Sequence, residues 1–231
     1  MIHPTKKPVS NWGNYPEIIA KEYTPQTIEE IQEVLAQEPT IIARGNGRCY
    51  GDASLQDTLL STKRLNYFID FDRDNGIIEC ESGVLLSEII EVIIPEGFFI
   101  AVTPGTKFIT VGGAIASDVH GKNHHIDGCF SEHVLYFDLM IENGEVLRCS
   151  REENSAHFWA TIGGMGLTGI ILSARFQLKK IETAYIQQEA VQAKNLDEMY
   201  QLIDESESWT YTVAWIDCLQ KGCLLYTSPS P

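Results

Sequence analysis

Short apolar segments alternate with turn residues along most of the chain, and this pattern predicts many short strands. Apolar runs of four to eight residues are bounded by glycine, proline, asparagine or aspartate, as in β-rich domains. Two pairs of neighbouring apolar segments are predicted to form β-hairpins, because the sequences between them, Asp72-Arg73-Asp74-Asn75 and Asn143-Gly144, favour tight turns. We predict strands over residues 40–43, 67–71, 76–81, 100–102, 134–141, 146–149 and 170–178.

Apolar residues at helical spacing predict helices between these strands. The first is expected to begin with Thr24 as its cap and Pro25 in its first position, before an acidic first turn. A second covers residues 86–94 and ends at Pro95. A third follows residues 150–153, a Ser-Arg-Glu-Glu sequence that resembles a capping box. Mixed helices and largely antiparallel strands indicate an α+β fold.

The pattern changes after Lys180, where a strand, a helix and a strand are expected to begin a second domain over residues 184–191, 195–207 and 210–216. The last eleven residues continue no pattern, and we interpret them as a non-native tail that follows a truncated domain. The expected organisation is a first domain, the beginning of a second domain and the tail, over residues 1–182, 183–220 and 221–231.

Composition narrows the possible partners. The chain has 231 residues, 44% of them hydrophobic, and a net charge of −15 from 17 basic and 32 acidic residues. Nucleic acid and anionic membrane surfaces attract positive proteins, so neither is expected as a main partner. We find no apolar run long enough for a transmembrane helix and no signal-peptide core near the N-terminus. Six cysteines without CxxC spacing are typical of reduced thiols, so we expect a cytoplasmic protein.

Three glycine-rich segments carry the candidate chemistry. They are residues 44–52, 104–121 and 163–169, and each lies next to a predicted strand. Glycine lets backbone N–H groups approach an anion closely, and the helix expected after the second segment adds a favourable dipole. Two such loops in one domain suggest a ligand with two phosphates and a long body, which describes a dinucleotide.

The three segments together resemble a known family. R-G-x-G-R-x-Y-G-D at residues 44–52, T-V-G-G-A-I-A-x-D-x-H-G-K-N-H-H at 110–125 and F-W-x-T-x-G-G-M-G-L-T-G at 158–169 resemble the PCMH-type FAD-binding domain of the vanillyl-alcohol oxidase superfamily. Within it, the chain is most similar to the bacterial 2′-oxidases of decaprenylphosphoryl-β-D-ribose. The resemblance covers about residues 8–218. It implies two α/β subdomains followed by a substrate or cap domain.

This resemblance implies which residues contact FAD. The first loop and the start of the second helix would hold the pyrophosphate and ribityl chain, and the strand after the third loop would follow the adenine half. The residues assigned to the cofactor are Arg44, Gly45, Asn46, Gly47, Arg48, Cys49, Tyr50, Gly51, Pro104, Gly105, Thr106, Thr110, Val111, Gly112, Gly113, Ala114, Ser117, Asp118, His120, Gly121, Asn123, Gly169 and Ile170.

Several of these residues leave alternatives open. Relatives with covalently attached flavin carry a histidine where this chain has Arg48, so we expect FAD to be held non-covalently. Cys49 stands where the subgroup usually has serine, and it either contacts a phosphate weakly or is inert. Asp118 is expected to orient a neighbouring side chain or to cap backbone groups. Trp12 and Tyr15 either pack on the domain or face the cofactor.

The histidine-rich loop at residues 120–125 has three interpretations. The resemblance implies that it lies near the flavin ring, with His120 and Lys122 at the flavin edge, where a cation would stabilise reduced flavin. Histidines four apart could instead bind a metal on a helix, although Gly121 and Asn123 are poor helix formers and no further ligand is obvious. A structural polar loop is the third interpretation. We predict no metal.

The implied function is oxidation of a secondary sugar hydroxyl, specifically the 2′-hydroxyl of a polyprenyl-phosphoryl pentose. Hydride passes to flavin N5 while a base, expected in the missing domain, takes the hydroxyl proton. A short-chain reductase partner then completes an epimerisation, and a lipid substrate raises the question of peripheral membrane association. One alternative is a sugar-lactone or alditol oxidase of the same superfamily. Another is a non-catalytic module that binds flavin, or a metal through His120, His124 and His125.

Overall fold

Three β-sheets organise the chain in a computed structural model that describes residues 2–216 and 225–227. The α+β class predicted from the sequence is confirmed. The strands are β1 (Thr5–Ser10), β2 (Glu17–Tyr23), β3 (Ile42–Arg44), β4 (Thr58–Ser61), β5 (Phe68–Asp72), β6 (Ile77–Glu81), β7 (Phe98–Ile100), β8 (Val134–Met140), β9 (Val146–Ser150), β10 (Ile170–Lys180), β11 (Val191–Ala193), β12 (Ala214–Ile216) and β13 (Leu225–Thr227). The helices are α1 (Ile28–Gln37), α2 (Leu86–Ile93), α3 (Val111–Ala116), α4 (His124–Asp127), α5 (Ser155–Thr161) and α6 (Leu196–Glu205).

The first sheet has the strand order β1-β2-β4-β3. The strands β1 and β2 are antiparallel, whereas β4 runs parallel to both β2 and β3. The helix α1 connects β2 to β3, and its buried Ile31 and Val34 pack in one cluster with Tyr23 and Leu60 of the sheet. Because β3 and β4 are parallel, the loops that follow them leave the sheet at the same edge.

The start of α1 differs from the prediction. Its N-cap is Thr27, whose Oγ1 accepts the Glu30 N–H at 3.3 Å, so the prediction of Thr24 as the cap is wrong. The Glu30 carboxylate in turn accepts the Gln26 N–H at 2.7 Å. This reciprocal pair satisfies donors that a helix leaves open at its first turn, and it places the helix three residues later than Thr24.

The second sheet is antiparallel, with the order β5-β6-β10-β8-β9, and β7 pairs with the far end of β10. Both predicted hairpins are confirmed: Asp72 Oδ1 accepts two N–H groups in the first turn, and Gly144 has a φ of +80° in the second. Aliphatic and aromatic side chains of this sheet and of α2, α3 and α5 form the largest buried cluster, which includes Phe137 and Phe158.

The predicted capping box at residues 150–153 is wrong. Ser150 Oγ accepts the N–H groups of Glu152 and Glu153 at 3.1 and 2.9 Å, which closes a turn instead of starting a helix. The helix α5 begins at Ser155, after Asn154 with a φ of +48°. The Ser150 side chain therefore stabilises the turn after β9, where the chain reverses direction, and does not cap the helix.

A smaller unit follows residue 180. The strands β11, β13 and β12 form a separate sheet in that order, and Met199 of α6 packs on Ala193 of β11. The helix predicted over 195–207 is confirmed, with Asn195 as its N-cap. The strand predicted over 184–191 is wrong: residues 182–190 are exposed and lie outside any strand. The proposed tail at 221–231 lies outside the described residues except for β13. Among the described residues, we find no helix of the length and apolarity needed to span a bilayer.

Candidate cofactor site

A cavity of about 680 Å³ lies where the three glycine-rich segments meet. Its walls are the loop after β3, the segment from β7 into α3, and the loop between α5 and β10. The ends of β4 and β6 complete it through Thr62 and Ser82. This volume falls within the range of sites for small molecules and cofactors. The cavity therefore brings together segments that are more than 100 residues apart in the sequence.

The first loop offers a row of unused backbone donors. No N–H group of residues 45–51 donates a hydrogen bond to any described atom. The loop is instead held by its carbonyl groups: Asn11 Nδ2 donates to Gly51 O at 2.7 Å and to Ala53 O at 2.6 Å, and the Trp12 N–H donates to Cys49 O at 3.0 Å. Unpaired amides in a concave loop are typical of an anion-binding site.

A buried cation lies beneath this loop. The Arg44 side chain donates to Asn11 Oδ1 at 2.6 Å and to Ser10 O at 2.7 Å, and it forms no ion pair with a carboxylate of the described residues. Burial lowers the pKa of this guanidinium below its ordinary value. Gly47 crosses the guanidinium with a φ of +62°, and a Cβ on it would collide with Arg44. Glu22 offsets part of this charge without a direct ion pair, and the positive charge that remains adds to the attraction of the loop for an anion.

The start of α3 offers fewer free backbone amides for phosphate binding than the sequence suggested. Thr110 is its N-cap, and Thr110 Oγ1 accepts the Gly113 N–H at 3.2 Å. The Val111 and Gly112 N–H groups donate to the carbonyls of Val84 and Ser82 at 2.9 and 2.8 Å. These three amides are already paired, so they are not free to bind a phosphate. Gly112 and Gly113 instead form part of a smooth cavity wall.

Sixteen of the residues assigned to the cofactor line this cavity. They come from all three segments and include every member of the first loop. They are Arg44, Gly45, Asn46, Gly47, Arg48, Cys49, Tyr50, Gly51, Pro104, Gly105, Thr106, Thr110, Gly112, Gly113, Ser117 and Gly169.

Seven of the assigned residues do not line it. They are Val111, Ala114, Asp118, His120, Gly121, Asn123 and Ile170. Val111 and Ala114 belong to the buried core cluster, because they lie on the inner face of α3. Asp118 caps a backbone group, which is one of the two roles expected for it. Its Oδ1 accepts the Ser131 N–H at 3.0 Å. Direct contact of these seven with FAD stays a prediction.

Sequence reasoning missed several lining residues, including Thr62, Ser82, Met165, Gly166 and Ile171. Thr62, Ser82 and Ile171 lie at strand ends, where no local pattern marks them, whereas Met165 and Gly166 belong to the third glycine-rich segment and were not assigned to the cofactor. Trp12 also lines the cavity, and its ring packs edge-on against Tyr50 with centroids 5.4 Å apart. Tyr15, for which the same two positions were expected, is 82% exposed and does not line the cavity.

The histidine-rich loop forms a separate polar cluster. The His120 and His124 rings lie 5.7 Å apart, whereas His125 Nε2 is hydrogen-bonded to Trp209 O at 2.9 Å. Buried Asn123 donates to Ala101 O and to Asp127 Oδ2, both at 2.7 Å. No group of three or more His, Cys, Asp or Glu side chains in the described part of the chain is arranged to hold a metal ion. Hydrogen bonds within the protein account for the order of this loop.

The charge, the free amides and the shape of the cavity fit FAD. Seven free amides over a buried guanidinium suit the diphosphate group, and glycine-rich walls admit a long flat ligand. Residues that would hold the diphosphate are those of the first loop, and Thr106 and Gly112 also line the cavity.

Comparison with known proteins points in the same direction. A family profile described as FAD binding domain matches residues 20–150. The chain is 37% identical over 227 residues to decaprenylphosphoryl-beta-D-ribose oxidase of Mycolicibacterium smegmatis, covering 94% of this chain and 49% of that protein. It is 28% identical to L-gulonolactone oxidase of Mus musculus (77% and 42% covered) and 23% identical to D-arabinono-1,4-lactone oxidase of Yarrowia lipolytica (88% and 40%).

The chain spans about half the length of the curated relatives it matches, or less. The matched profile covers more than half of this chain and contains the first loop, the second segment and most of the cavity wall. The chain therefore belongs to the FAD-binding domain family of PCMH type, and its cofactor is FAD.

Proposed function

We propose that the chain is the FAD-binding part of an oxidoreductase that oxidises a secondary hydroxyl of a sugar, the 2′-hydroxyl of a polyprenyl-phosphoryl pentose. The observation that carries the proposal is the diphosphate-compatible cavity in a chain 37% identical to a decaprenylphosphoryl-beta-D-ribose oxidase over 94% of its length. When bound, FAD would accept a hydride at N5 from the substrate carbon. The residues of this chain bind and orient the cofactor for that step.

Non-covalent binding is part of the proposal. Arg48 lines the cavity, is exposed, and has no hydrogen-bond or ion-pair partner among the described residues. An arginine cannot form the flavin bond that histidine makes in relatives with covalent flavin. Its charge remains available to an anionic part of the ligand.

The unit after residue 182 is proposed as the beginning of the substrate domain. The Thr212 N–H donates to Lys122 O at 3.0 Å, and Trp209 O is hydrogen-bonded to His125, so the unit contacts the histidine-rich loop. These contacts support a position of the histidine-rich loop beside the substrate domain, and the role of His120 and Lys122 at the flavin edge is part of the proposal. A ketone product would be a substrate for a reductase, and we propose a short-chain reductase as a partner.

A lactone oxidase is the second candidate function. Identities of 28% and 23% to two lactone oxidases favour it, and both relatives cover most of this chain. Either function uses the same cofactor cavity, so substrate oxidation has to separate them. Anaerobic bleaching of the flavin absorbance by a polyprenyl-phosphoryl pentose, and not by an aldonolactone, is expected from the native protein that contains this chain.

The first test is the visible absorption spectrum of the purified chain, followed by acid precipitation. Flavin bands that move to the supernatant are expected, because the flavin is not covalently attached. Colour retained in the pellet would contradict the role given to Arg48. A chain that stays colourless after incubation with FAD would contradict the proposed function as a whole.

A further inference from the structure

Asn11 contacts the first glycine loop but does not line the cavity. It follows β1, lies outside the three glycine-rich segments, and is 3% exposed. Its Nδ2 donates to Gly51 O at 2.7 Å and to Ala53 O at 2.6 Å, and its Oδ1 accepts a hydrogen bond from Arg44 Nη1 at 2.6 Å. Any effect of Asn11 on a bound ligand must therefore act through the loop.

The chemistry of this contact requires a carboxamide group. A guanidinium can only donate hydrogen bonds, and a backbone carbonyl can only accept them. Asn11 meets both needs at once, because its oxygen faces Arg44 and its nitrogen faces the loop. An aspartate would satisfy Arg44 alone, and an alanine would satisfy neither partner.

The contacts of Asn11 fix the direction of two backbone amides in the loop. In a trans peptide, the C=O group and the N–H group of the next residue point in opposite directions. Asn11 holds the carbonyls of Gly51 and Ala53. The N–H groups of Asp52 and Ser54, which follow them, therefore point away from Asn11. Neither N–H group donates to a described atom, and both residues line the cavity.

The backbone next to Asn11 acts on the loop in the same way. The Trp12 N–H donates to Cys49 O at 3.0 Å, so the N–H group of Tyr50 also points away from this segment. Tyr50 lines the cavity, and its N–H group has no acceptor among the described residues. Alternate carbonyls of the loop are thus held on one side, which leaves alternate amides on the other. Such a row of amides suits phosphate oxygens.

We propose that Asn11 is a positioning residue for the diphosphate of FAD, because its carboxamide turns free amides of the first loop toward the cavity. In the proposed function, on which this inference rests, the first loop holds that diphosphate. An Asn11 with a purely structural role would change the stability of the chain without changing the hydrogen bonds that bound FAD receives.

Two variants of Asn11 separate these roles. Asn11→Ala removes both the donor to the loop and the acceptor for Arg44. Asn11→Asp keeps the acceptor and pairs the charge of Arg44, so the chain is expected to fold even if the alanine variant does not. Its carboxylate would repel the carbonyls of Gly51 and Ala53, and the loop would turn them away.

Thr27→Ala is the control for a general loss of stability. It removes the N-cap of α1, and Thr27 does not line the cavity. The variant is expected to unfold at a lower temperature than the native chain and to keep native affinity for FAD.

The experiment is a calorimetric titration of the native chain and the three variants with FAD, followed by ³¹P NMR of the FAD-saturated samples. Both Asn11 variants are expected to weaken FAD binding about tenfold or more, the size of one hydrogen bond to a charged group. Their diphosphate resonances are expected to move toward those of free FAD. Thr27→Ala is expected to leave both the affinity and the resonances unchanged.

Three results would overturn the inference. They are native FAD affinity in Asn11→Asp, diphosphate resonances of bound FAD that do not move in the Asn11 variants, and an equal loss of affinity in Thr27→Ala. If the native chain itself fails to bind FAD, the proposed function fails, and that outcome is visible before any variant is compared.

Discussion

Asn11 and Arg44 form the polar contact on which the shape of the first glycine loop depends. Asn11 is 3% exposed, and its side chain joins the Arg44 guanidinium to two carbonyls of the loop. The loop carbonyls are thereby turned toward the protein, and its amides are left for the ligand. The two residues are 33 positions apart in the sequence, so no local motif contains both.

Gly47 is a position in this loop where both the backbone conformation and the surrounding space disfavour a side chain. Gly47→Ala requires a left-handed alanine and places its Cβ against the Arg44 guanidinium, so we expect a loss of about 1–2 kcal/mol in the free energy of unfolding. Urea denaturation of the FAD-free chain measures it.

Gly51→Ala is the matched control for this prediction. No heavy atom lies within 4 Å of a Cβ built at Gly51, and we expect a change within about 0.5 kcal/mol. Equal destabilisation by the two variants would contradict the geometry assigned to Gly47.

At the scale of elements, the ends of helices depend on which side chain reaches an open backbone group. Thr24, Thr27 and Ser150 are all acceptable caps by residue type. Only Thr27 among them accepts an N–H group at the start of a helix, whereas Ser150 closes a turn. The hairpins were easier to predict, because their turns are decided by adjacent residues.

The position of the α1 cap can be tested with two threonine variants. Thr27→Ala is expected to lower the free energy of unfolding by about 1 kcal/mol, because Glu30 loses its capping acceptor. Thr24→Ala, an exposed position before the helix, is expected to change it by less than about 0.5 kcal/mol. The reverse order of effects in thermal or urea denaturation would restore Thr24 as the cap.

At the scale of the whole molecule, the two larger sheets place the three glycine-rich segments around one cavity. The parallel pair β3 and β4 ends at the same edge, and β10 connects the third loop to the strands that precede the second segment. The strand order of the two sheets therefore creates the cavity. Bound FAD should shield side chains on all of its walls from reagents in solution.

Cysteine alkylation tests this protection. Cys49 lines the cavity and is partly exposed, whereas Cys80 and Cys149 are buried, and desolvation by burial raises the pKa of both thiols, that of Cys149 to about 11. We expect iodoacetamide to modify Cys49 faster than either buried thiol, because the thiolate is the reactive form.

FAD at about ten times its Kd should slow the modification of Cys49 about tenfold, since about one site in ten remains open. Peptide mass spectrometry measures the rates, and Cys149, which lies in β9 outside the cavity wall, is the internal control. Equal rates for Cys49 with and without FAD would contradict its place beside the ligand.

Much of the cofactor site could be predicted from the sequence, because glycine motifs are contiguous and their chemistry is local. Sixteen assigned residues line the cavity. Val111 and Ala114 belong to the same motif but point into the core, since consecutive residues of a helix face different directions. The strand expected over 184–191 is wrong because residues 182–190 are exposed, and a strand needs a partner strand and a buried face.

The sequence by itself determined the α+β class, the hairpins, the glycine loops and the family, because each depends on neighbouring residues or on motifs in a fixed order. Only the tertiary structure decided that the α3 amides are paired, that Arg44 is buried beneath the first loop, and that Asn11 joins Arg44 to the carbonyls of that loop. Those properties depend on contacts between residues far apart in the chain, and such contacts exist only when the sheets have packed.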